Sequence, residues 1–321
     1  MMEAADPQRA EAAADRLARA PVASAGHLVH MPAHIWHRTG RYRDSIAANI
    51  SAARSDEAYI AATGDRGLVR YGYYPHNVHF IVTSAQMAGD METAIRESNR
   101  LRALLDVETS ARIGWIQVID AAPYLAMVQF AEPAEILALP APDPRLPYTR
   151  AIWHFSRAVA YAGQRNRAGF AAELAGLDTI RNDPGVPALA EQGIPLPEVI
   201  DLARAVALGR QAMAQGRFRE AADQFRIAAA IEAKLPYTEP AYWPYPVQQS
   251  LGAALYLAGD AEGASAAFRT AIVQAPNNGW ALWGLAASEA AAGRKAEAQV
   301  ARTAFGESWA GNPDWLRMER L

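Results

Sequence analysis

A unit of two helices recurs along this chain at a fixed period, and this repetition restricts the fold more than any other feature. The clearest unit covers residues 248–278, with small and large apolar residues at Leu251, Gly252, Leu255, Gly259, Ala264, Phe268, Ala271 and Pro276. A second unit follows after about 34 residues, a helical-repeat period, at Leu282, Leu285, Gly293 and Ala298. A third precedes them at Leu208, Gly209, Gly216, Phe218, Ala221, Phe225 and Ala228. One hairpin cannot bury its apolar stripe alone, so such units are expected to stack.

These positions resemble the tetratricopeptide repeat (TPR), in which a small residue, often glycine, lies between the two helices of each unit. Glycines at that place mark further units at Gly40, Gly89 and Gly163, and a degenerate unit has Ala131 there. The resemblance implies an all-α, right-handed superhelical solenoid of about seven hairpins. We expect a single domain over 1–321, with histidine-bearing repeats in 1–105, degenerate repeats in 106–200, and regular repeats with a cap in 201–321.

Four segments interrupt the repeats, at 54–75, 138–148, 180–197 and 234–246. They are rich in Pro, Gly, Tyr and Asp, which is typical of loops or irregular insertions. Helical segments are predicted at both ends, over about residues 7–19 and within 307–321. Strand patterns are absent from the sequence.

Composition excludes several classes of function. The net charge of −3 argues against nucleic-acid binding, which favours a basic excess. The chain has no cysteine, so disulfides, thiolate metal sites and cysteine nucleophiles are excluded. No apolar run approaches the length of a membrane span. The first twenty residues lack the apolar core of a signal peptide, so we expect a cytoplasmic protein without membrane or nucleic-acid partners.

Histidines are concentrated in one part of the chain. Six of the seven lie within 27–79, at His27, His30, His34, His37, His76 and His79. At about 100° per residue, the first four fall within an arc of roughly 80° on one helix. Pro32 lies within that segment and would either kink the helix or mark its first turn. We therefore predict a histidine stripe on one helix face.

The positions of the histidines within the repeats indicate which surface the stripe lines. The two histidine groups take equivalent places on the first helices of two neighbouring units, and the TPR resemblance implies that these places line the concave groove. The motifs HLVHMPAHIWHRTGRY and YYPHNVHF also resemble a group of bacterial TPR proteins that carry His-Met-Pro-x-His and Pro-His-Asn-x-His segments. Longer members of that group carry a further histidine-bearing helix upstream, which here would precede Glu3.

A cluster of imidazoles predicts a transition-metal site. Helices packed about 8–10 Å apart would let histidines from both share one ion or a pair of ions. We take His30, His34, His76 and His79 as the preferred ligands, with His27 and His37 at the ends of the stripe. Imidazole suits copper, iron and zinc, and copper is our first choice, which would make the protein an oxidoreductase acting on a small molecule.

Two motifs limit the chemistry of this site further. An iron site with two histidines and one carboxylate would need Asp56, Glu57 or Asp65 from a loop. The zinc-protease motif is absent, because His30 and His34 enclose no glutamate. The sequence thus names no catalytic residue beyond the metal ligands.

Alternative interpretations remain at this stage. The histidines could form a hydrogen-bonding groove that binds a peptide or partner protein, as in a non-catalytic TPR scaffold. Four residues could contact a small-molecule or peptide ligand, namely Tyr73, Asn77, Tyr242 and Trp243. The aromatic residues could instead hold the insertions onto the helices. His154, beside Trp153, is better explained by packing than by a site.

Overall fold

The computed structural model describes residues 6–19 and 25–321 of the chain. Helices account for 77% of the residues, and the described part contains no strand. The position before Glu3, where longer members of the resembling group carry an upstream helix, lies outside these residues. None of the described helices is both long and apolar enough to span a membrane.

Seventeen α-helices follow one another in the described residues, and each packs mainly on its neighbours in sequence. They are α1 Glu11–Arg19, α2 Gly26–Arg38, α3 Tyr42–Thr63, α4 Tyr74–Ala88, α5 Met91–Leu104, α6 Val107–Arg112, α7 Gly114–Phe130, α8 Pro133–Leu137, α9 Pro147–Gly163, α10 Arg167–Arg181, α11 Val186–Glu191, α12 Leu196–Ala214, α13 Phe218–Glu232, α14 Val247–Leu257, α15 Ala261–Gln274, α16 Gly279–Ala291 and α17 Lys295–Ser308. The expected all-helical class is therefore confirmed.

Glycines between paired helices adopt the left-handed backbone conformation that ends a helix and turns the chain. Five of the predicted positions have positive φ angles, namely Gly40, Gly89, Gly216, Gly259 and Gly293. The α9–α10 turn differs, because Gly163 is the last residue of α9 and Arg165 takes the positive φ instead. Glycine at the other predicted places makes room for aromatic rings. A Cβ on Gly252 would lie 2.9 Å from the ring of Phe268.

Three local predictions were wrong. The segment 54–75 is not irregular throughout, because α3 continues to Thr63 and ends only where Gly64 is left-handed. The interruption at 180–197 contains the short helix α11. The C-terminal segment is not one helix. After α17 it forms two 3₁₀ turns, Pro313–Trp315 and Met318–Arg320, because Pro313 cannot continue a helical hydrogen-bond ladder.

The early helices contact the late ones directly. Tyr42 at the start of α3 donates a hydrogen bond to the carbonyl of Pro276, at 2.8 Å. Trp280 of α16 donates its indole N–H to the carbonyl of Gln86 in α4, also at 2.8 Å. Gly40 permits this approach, since a Cβ there would lie 2.2 Å from the Pro276 carbonyl oxygen. The last helical pairs thus support α4, one of the two histidine-bearing helices.

Candidate metal centre

The histidine stripe forms as predicted on α2, and α4 supplies the other two histidines. Pro32 lies inside α2 rather than in its first turn. The first residue of α2 is Gly26, and a Cβ there would lie 2.0 Å from a carboxylate oxygen of Asp56 in α3. This close approach places α2 firmly against α3.

Three of the six histidines bring their ring nitrogens together. One nitrogen each from His30, His34 and His76 lies within 4.8 Å of the other two, a spacing that suits a shared metal ion. The ring of His30 lies 4.4 Å from that of His34 and 4.9 Å from that of His76, between centroids. His30 and His34 are buried, and His76 is partly exposed. Two helices therefore converge on one small volume.

Hydrogen bonds orient the two buried rings. The Nδ1 atom of His30 lies 2.6 Å from Oδ1 of Asn49. Asn49 uses its own N–H₂ group to donate to the Ser45 carbonyl at 2.8 Å, so the oxygen of its amide faces His30. The Nδ1 atom of His34 makes a short contact with a carboxylate oxygen of Glu239. In both rings Nδ1 is therefore the protonated nitrogen that donates, and Nε2 is left with a lone pair.

The two Nε2 atoms face each other at a distance of 2.7 Å. With Nδ1 protonated on both rings, neither Nε2 atom has a proton to donate to the other. Two lone pairs this close repel each other unless a cation lies between or beside them. Nitrogens bound tetrahedrally to one ion at about 2.0 Å are about 3.3 Å apart, so binding requires only a small separation of these rings.

Burial keeps the three imidazoles uncharged at neutral pH. It lowers the pKa of His30 to about 3, with a contribution from nearby His34. It likewise lowers the pKa of His34 to about 4. Burial and the neighbouring imidazoles hold the pKa of His76 well below its usual value. The neutral imidazole is the form that binds metals, so protons compete weakly for these nitrogens.

The remaining three histidines of the cluster surround this group without joining it. His79 is buried, and its Nδ1 atom has no hydrogen-bond partner within the described part of the chain. The ring of His27 stacks on Tyr73, with centroids 4.3 Å apart. His37 contacts the hydroxyl of Ser84 at 3.0 Å through Nδ1. Phe80 packs edge-on against His34 and so helps to fix the orientation of the triad.

A pocket of about 260 Å³ lies beside the triad. Two of its wall residues belong to the metal centre, because His76 is in the triad and Glu239 binds His34. The other lining residues are His27, Tyr73, His79, Trp115, Val118, Ile119, Ile194, Thr238, Pro240 and Tyr242. The triad therefore has access to a small chamber through its α4 member.

The other predicted ligand-contacting residues divide into two groups. Tyr73 and Tyr242 line the pocket. Asn77 is buried and donates to the Asp56 carboxylate at 2.8 Å, and Trp243 packs edge-on against Phe155. Neither of these two lines the pocket.

The carboxylates considered as iron ligands bind other partners. Asp56 accepts from Asn77, and Glu57 accepts a hydrogen bond from Tyr74 at 2.6 Å. Asp65 accepts from the backbone N–H of Arg70 at 3.0 Å. None of these three carboxylates joins the triad within the described residues.

His154 contacts Glu173 at 2.7 Å, a pairing outside the histidine triad.

Two important residues were missed at the sequence level. Glu239 lies in the 234–246 interruption, 205 residues from His34, and no local spacing connects them. Asn49 lies on the helix after the stripe and could have been found as a polar residue at a buried position. An acidic residue within an aromatic-rich insertion was the one available signal for Glu239.

No protein-family model matches the sequence, and no curated protein matches it either.

Proposed function

We propose that this chain is a metalloprotein that holds one transition-metal ion on His30, His34 and His76. The observation that carries this proposal is the 2.7 Å contact between the Nε2 atoms of buried His30 and His34, while the Nδ1 atom of each ring faces an oxygen acceptor. Buried polar groups normally have a partner, and a cation is the partner that two such lone pairs share.

A metal ion explains this arrangement better than a proton does. A proton between the nitrogens would place an imidazolium at His30 or His34, and burial lowers their pKa values to about 3 and about 4. Glu239 and Asn49 also fit the metal interpretation. Metal-bound histidines usually donate their other N–H to a carboxylate or carbonyl oxygen, which fixes the ring and raises its basicity.

Three imidazoles without a thiolate or thioether suit copper, iron or zinc. Copper is placed first because divalent copper binds nitrogen sites most tightly among the first-row metals. Such an ion supplies electron transfer when it is copper or iron, and Lewis acidity when it is zinc. With copper or iron the protein is an oxidoreductase.

The pocket favours catalysis over a purely structural site. Structural zinc sites are closed by four protein ligands, whereas catalytic sites keep three protein ligands and an open position. Here three histidines converge, and His76 also lines a chamber of about 260 Å³. A small molecule in this chamber is the proposed substrate.

We also propose that the chain is a TPR-type solenoid with this site on its inner face. The left-handed glycines between paired helices and the sequential packing support this proposal. A scaffold that captures a peptide would need the histidine face to be open. Instead, the segment between α13 and α14 covers it, with Glu239 on His34 and with Tyr242, Trp243 and Tyr245 buried.

Elemental analysis tests the proposal. The purified, untagged protein is loaded with copper, iron or zinc in turn and then dialysed. We expect about one equivalent of at least one of these metals to be retained. A variant that combines His30→Ala with His34→Ala should retain none, while a His154→Ala control should behave as the wild type. Equal retention by all three proteins, or none by the wild type, would rule out this site.

Replacing Glu239 with glutamine should weaken metal binding by about 10- to 100-fold, a typical loss for the partner of a ligand histidine. The glutamine can still accept a hydrogen bond from His34, but it lacks the negative charge that raises the basicity of the imidazole. Affinity is measured by competition with a chromophoric chelator.

Glu173→Gln is the matched control for this measurement. Glu173 pairs with the Nδ1 atom of His154 at 2.7 Å and lies outside the triad. The Glu173→Gln substitution should leave the affinity for the metal unchanged. An equal loss in both variants would show that Glu239 has no specific role at the metal.

A further inference from the structure

The pocket beside the triad has walls of a distinct chemistry. Three aromatic side chains, Tyr73, Trp115 and Tyr242, line it together with the aliphatic Val118, Ile119 and Ile194. Its volume of about 260 Å³ lies just below the ~300–1,000 Å³ range of pockets for drug-sized ligands. A ligand smaller than a typical drug therefore fits, and aromatic walls favour a planar ring through stacked and edge-on contacts.

The side chains that line the pocket provide no cation for an anionic ligand. No lysine or arginine lines it in the described part of the chain, and the Glu239 carboxylate in its wall pairs with His34 and with Arg38, which lies behind the wall. The histidines in the wall are uncharged at neutral pH, since burial lowers the pKa of His79 to about 3 and that of His27 below its usual value. A carboxylate or phosphate ligand would meet no protein cation here.

Part of the pocket wall can pair with a polar group on a ligand. His79 lines the pocket, is 5% exposed, and has a buried Nδ1 atom without a hydrogen-bond partner among the described residues. A buried nitrogen without a partner is unfavourable, so a ligand hydroxyl group that reached it would add to affinity. His76, the triad member in the pocket wall, lies three residues earlier on the same helix.

Another part of the pocket wall is apolar and reaches the surface. Trp115 is 41% exposed and also lines a neighbouring depression, whose wall includes Leu68 with 56% exposure. The intervening chain, Val69–Tyr73, is a π-helical turn, a geometry found frequently at functional sites. It places Tyr73 in the pocket wall. An apolar ligand would thus meet apolar side chains on its way in.

We infer that this pocket binds a small, neutral aromatic hydroxyl compound, that is, a phenol. Its hydroxyl group lies at the His76 and His79 end, directed at the metal, and its ring lies among Tyr73, Trp115 and Tyr242. This inference rests on the proposed function, because the hydroxyl group is positioned by the metal centre. It adds the chemical class of the substrate.

Calorimetry on the Zn²⁺-loaded protein tests the ligand class with three probes of similar size. We expect 4-methylphenol to bind at least about tenfold more tightly than 4-methylanisole, which lacks the hydroxyl proton, because a site that hydrogen-bonds a hydroxyl rejects the analogue without it. The affinity of 4-methylphenol should exceed that of 4-methylbenzoate by a similar factor. Tighter binding of the benzoate or the ether, or no binding of the phenol, would overturn the inference.

Two substitutions of Val118 test the location. Val118→Phe fills the pocket and should weaken 4-methylphenol binding by at least about tenfold, while Val118→Ala enlarges it and should improve binding of the bulkier 4-tert-butylphenol. A folding defect would move both variants in the same direction. If both variants bind each phenol as the wild type does, the phenol lies elsewhere and the inference fails.

The metal content of each sample separates the two proposals. A protein that retains one equivalent of zinc but does not bind 4-methylphenol refutes the phenol pocket and leaves the metal centre standing. A protein that retains no metal refutes both. If the metal-free protein binds 4-methylphenol as tightly as the loaded one, the hydroxyl group is not directed at the metal.

Discussion

Replacing His76 with alanine should lower the affinity for the metal by about 100- to 1000-fold, because His76 is the one member of the triad supplied by α4. Zinc sites with four protein ligands bind with about 10–16 kcal/mol, or about 3 kcal/mol per ligand. His76 is partly exposed, and its ring packs against His30, His34 and Phe80. We therefore expect the metal-free variant to unfold at nearly the same urea concentration as the wild type.

The measurement is a competition titration against a chromophoric chelator, beside urea unfolding of the metal-free proteins. His154→Ala is the control, because His154 also pairs with a carboxylate but lies outside the triad. An unchanged affinity in the His76 variant would remove α4 from the site. It would leave at most a two-histidine contact on α2.

Replacing Trp280 with alanine should destabilise the protein by about 3–5 kcal/mol, the usual cost for a fully buried tryptophan. Its side chain is 1% exposed, packs against Trp309 with centroids 4.9 Å apart, and donates to the Gln86 carbonyl at 2.8 Å. The substitution removes apolar burial and the indole hydrogen bond to the Gln86 carbonyl, which keeps only the backbone N–H of Gly89, at 3.3 Å, as a donor. Chemical denaturation of the metal-free protein measures the change in the free energy of unfolding.

Trp153→Ala provides the matched comparison. Trp153 also donates its indole N–H to a backbone carbonyl, that of Leu139 at 3.3 Å, but it is only partly buried. Its loss should cost clearly less than the loss of Trp280. Equal costs would mean that the contact between α16 and α4 contributes nothing special to stability.

The helical class and the turns could be predicted because their causes are local. Glycine adopts positive φ without strain, so Gly40, Gly89, Gly216, Gly259 and Gly293 marked the turns between paired helices. The histidine stripe is local as well, since four residues on one helix share a face by geometry alone. These features can be predicted without knowledge of tertiary contacts.

Which histidines form the triad was harder to predict than the helices and turns. His30, His34, His76 and His79 were all preferred, but the rotation of α4 brings only His76 of that helix to the other two. This rotation depends on how α4 packs against α3, α5 and α7, which spacing along α4 does not specify. The side chain of His79 lines the pocket instead.

The positions of the residues that support the triad depend on contacts between parts of the chain that are far apart in sequence. Glu239 reaches His34 because the segment after α13 passes over the histidines, and its sequence indicates only an irregular insertion. The same insertion brings Tyr242 to the pocket while burying Trp243 against Phe155. Packing decides which aromatic residue of an insertion faces a site. The sequence therefore predicted that this insertion contacts the site, but not which of its aromatic residues does so.

X-ray absorption spectroscopy of the copper-loaded protein tests the central claim most directly, because it reports which atoms surround the metal. We expect three imidazole nitrogens at about 2.0 Å, with one imidazole lost in the His76→Ala variant. A first shell of oxygen atoms only, or one that is unchanged when His76 is replaced, would contradict a metal centre on His30, His34 and His76.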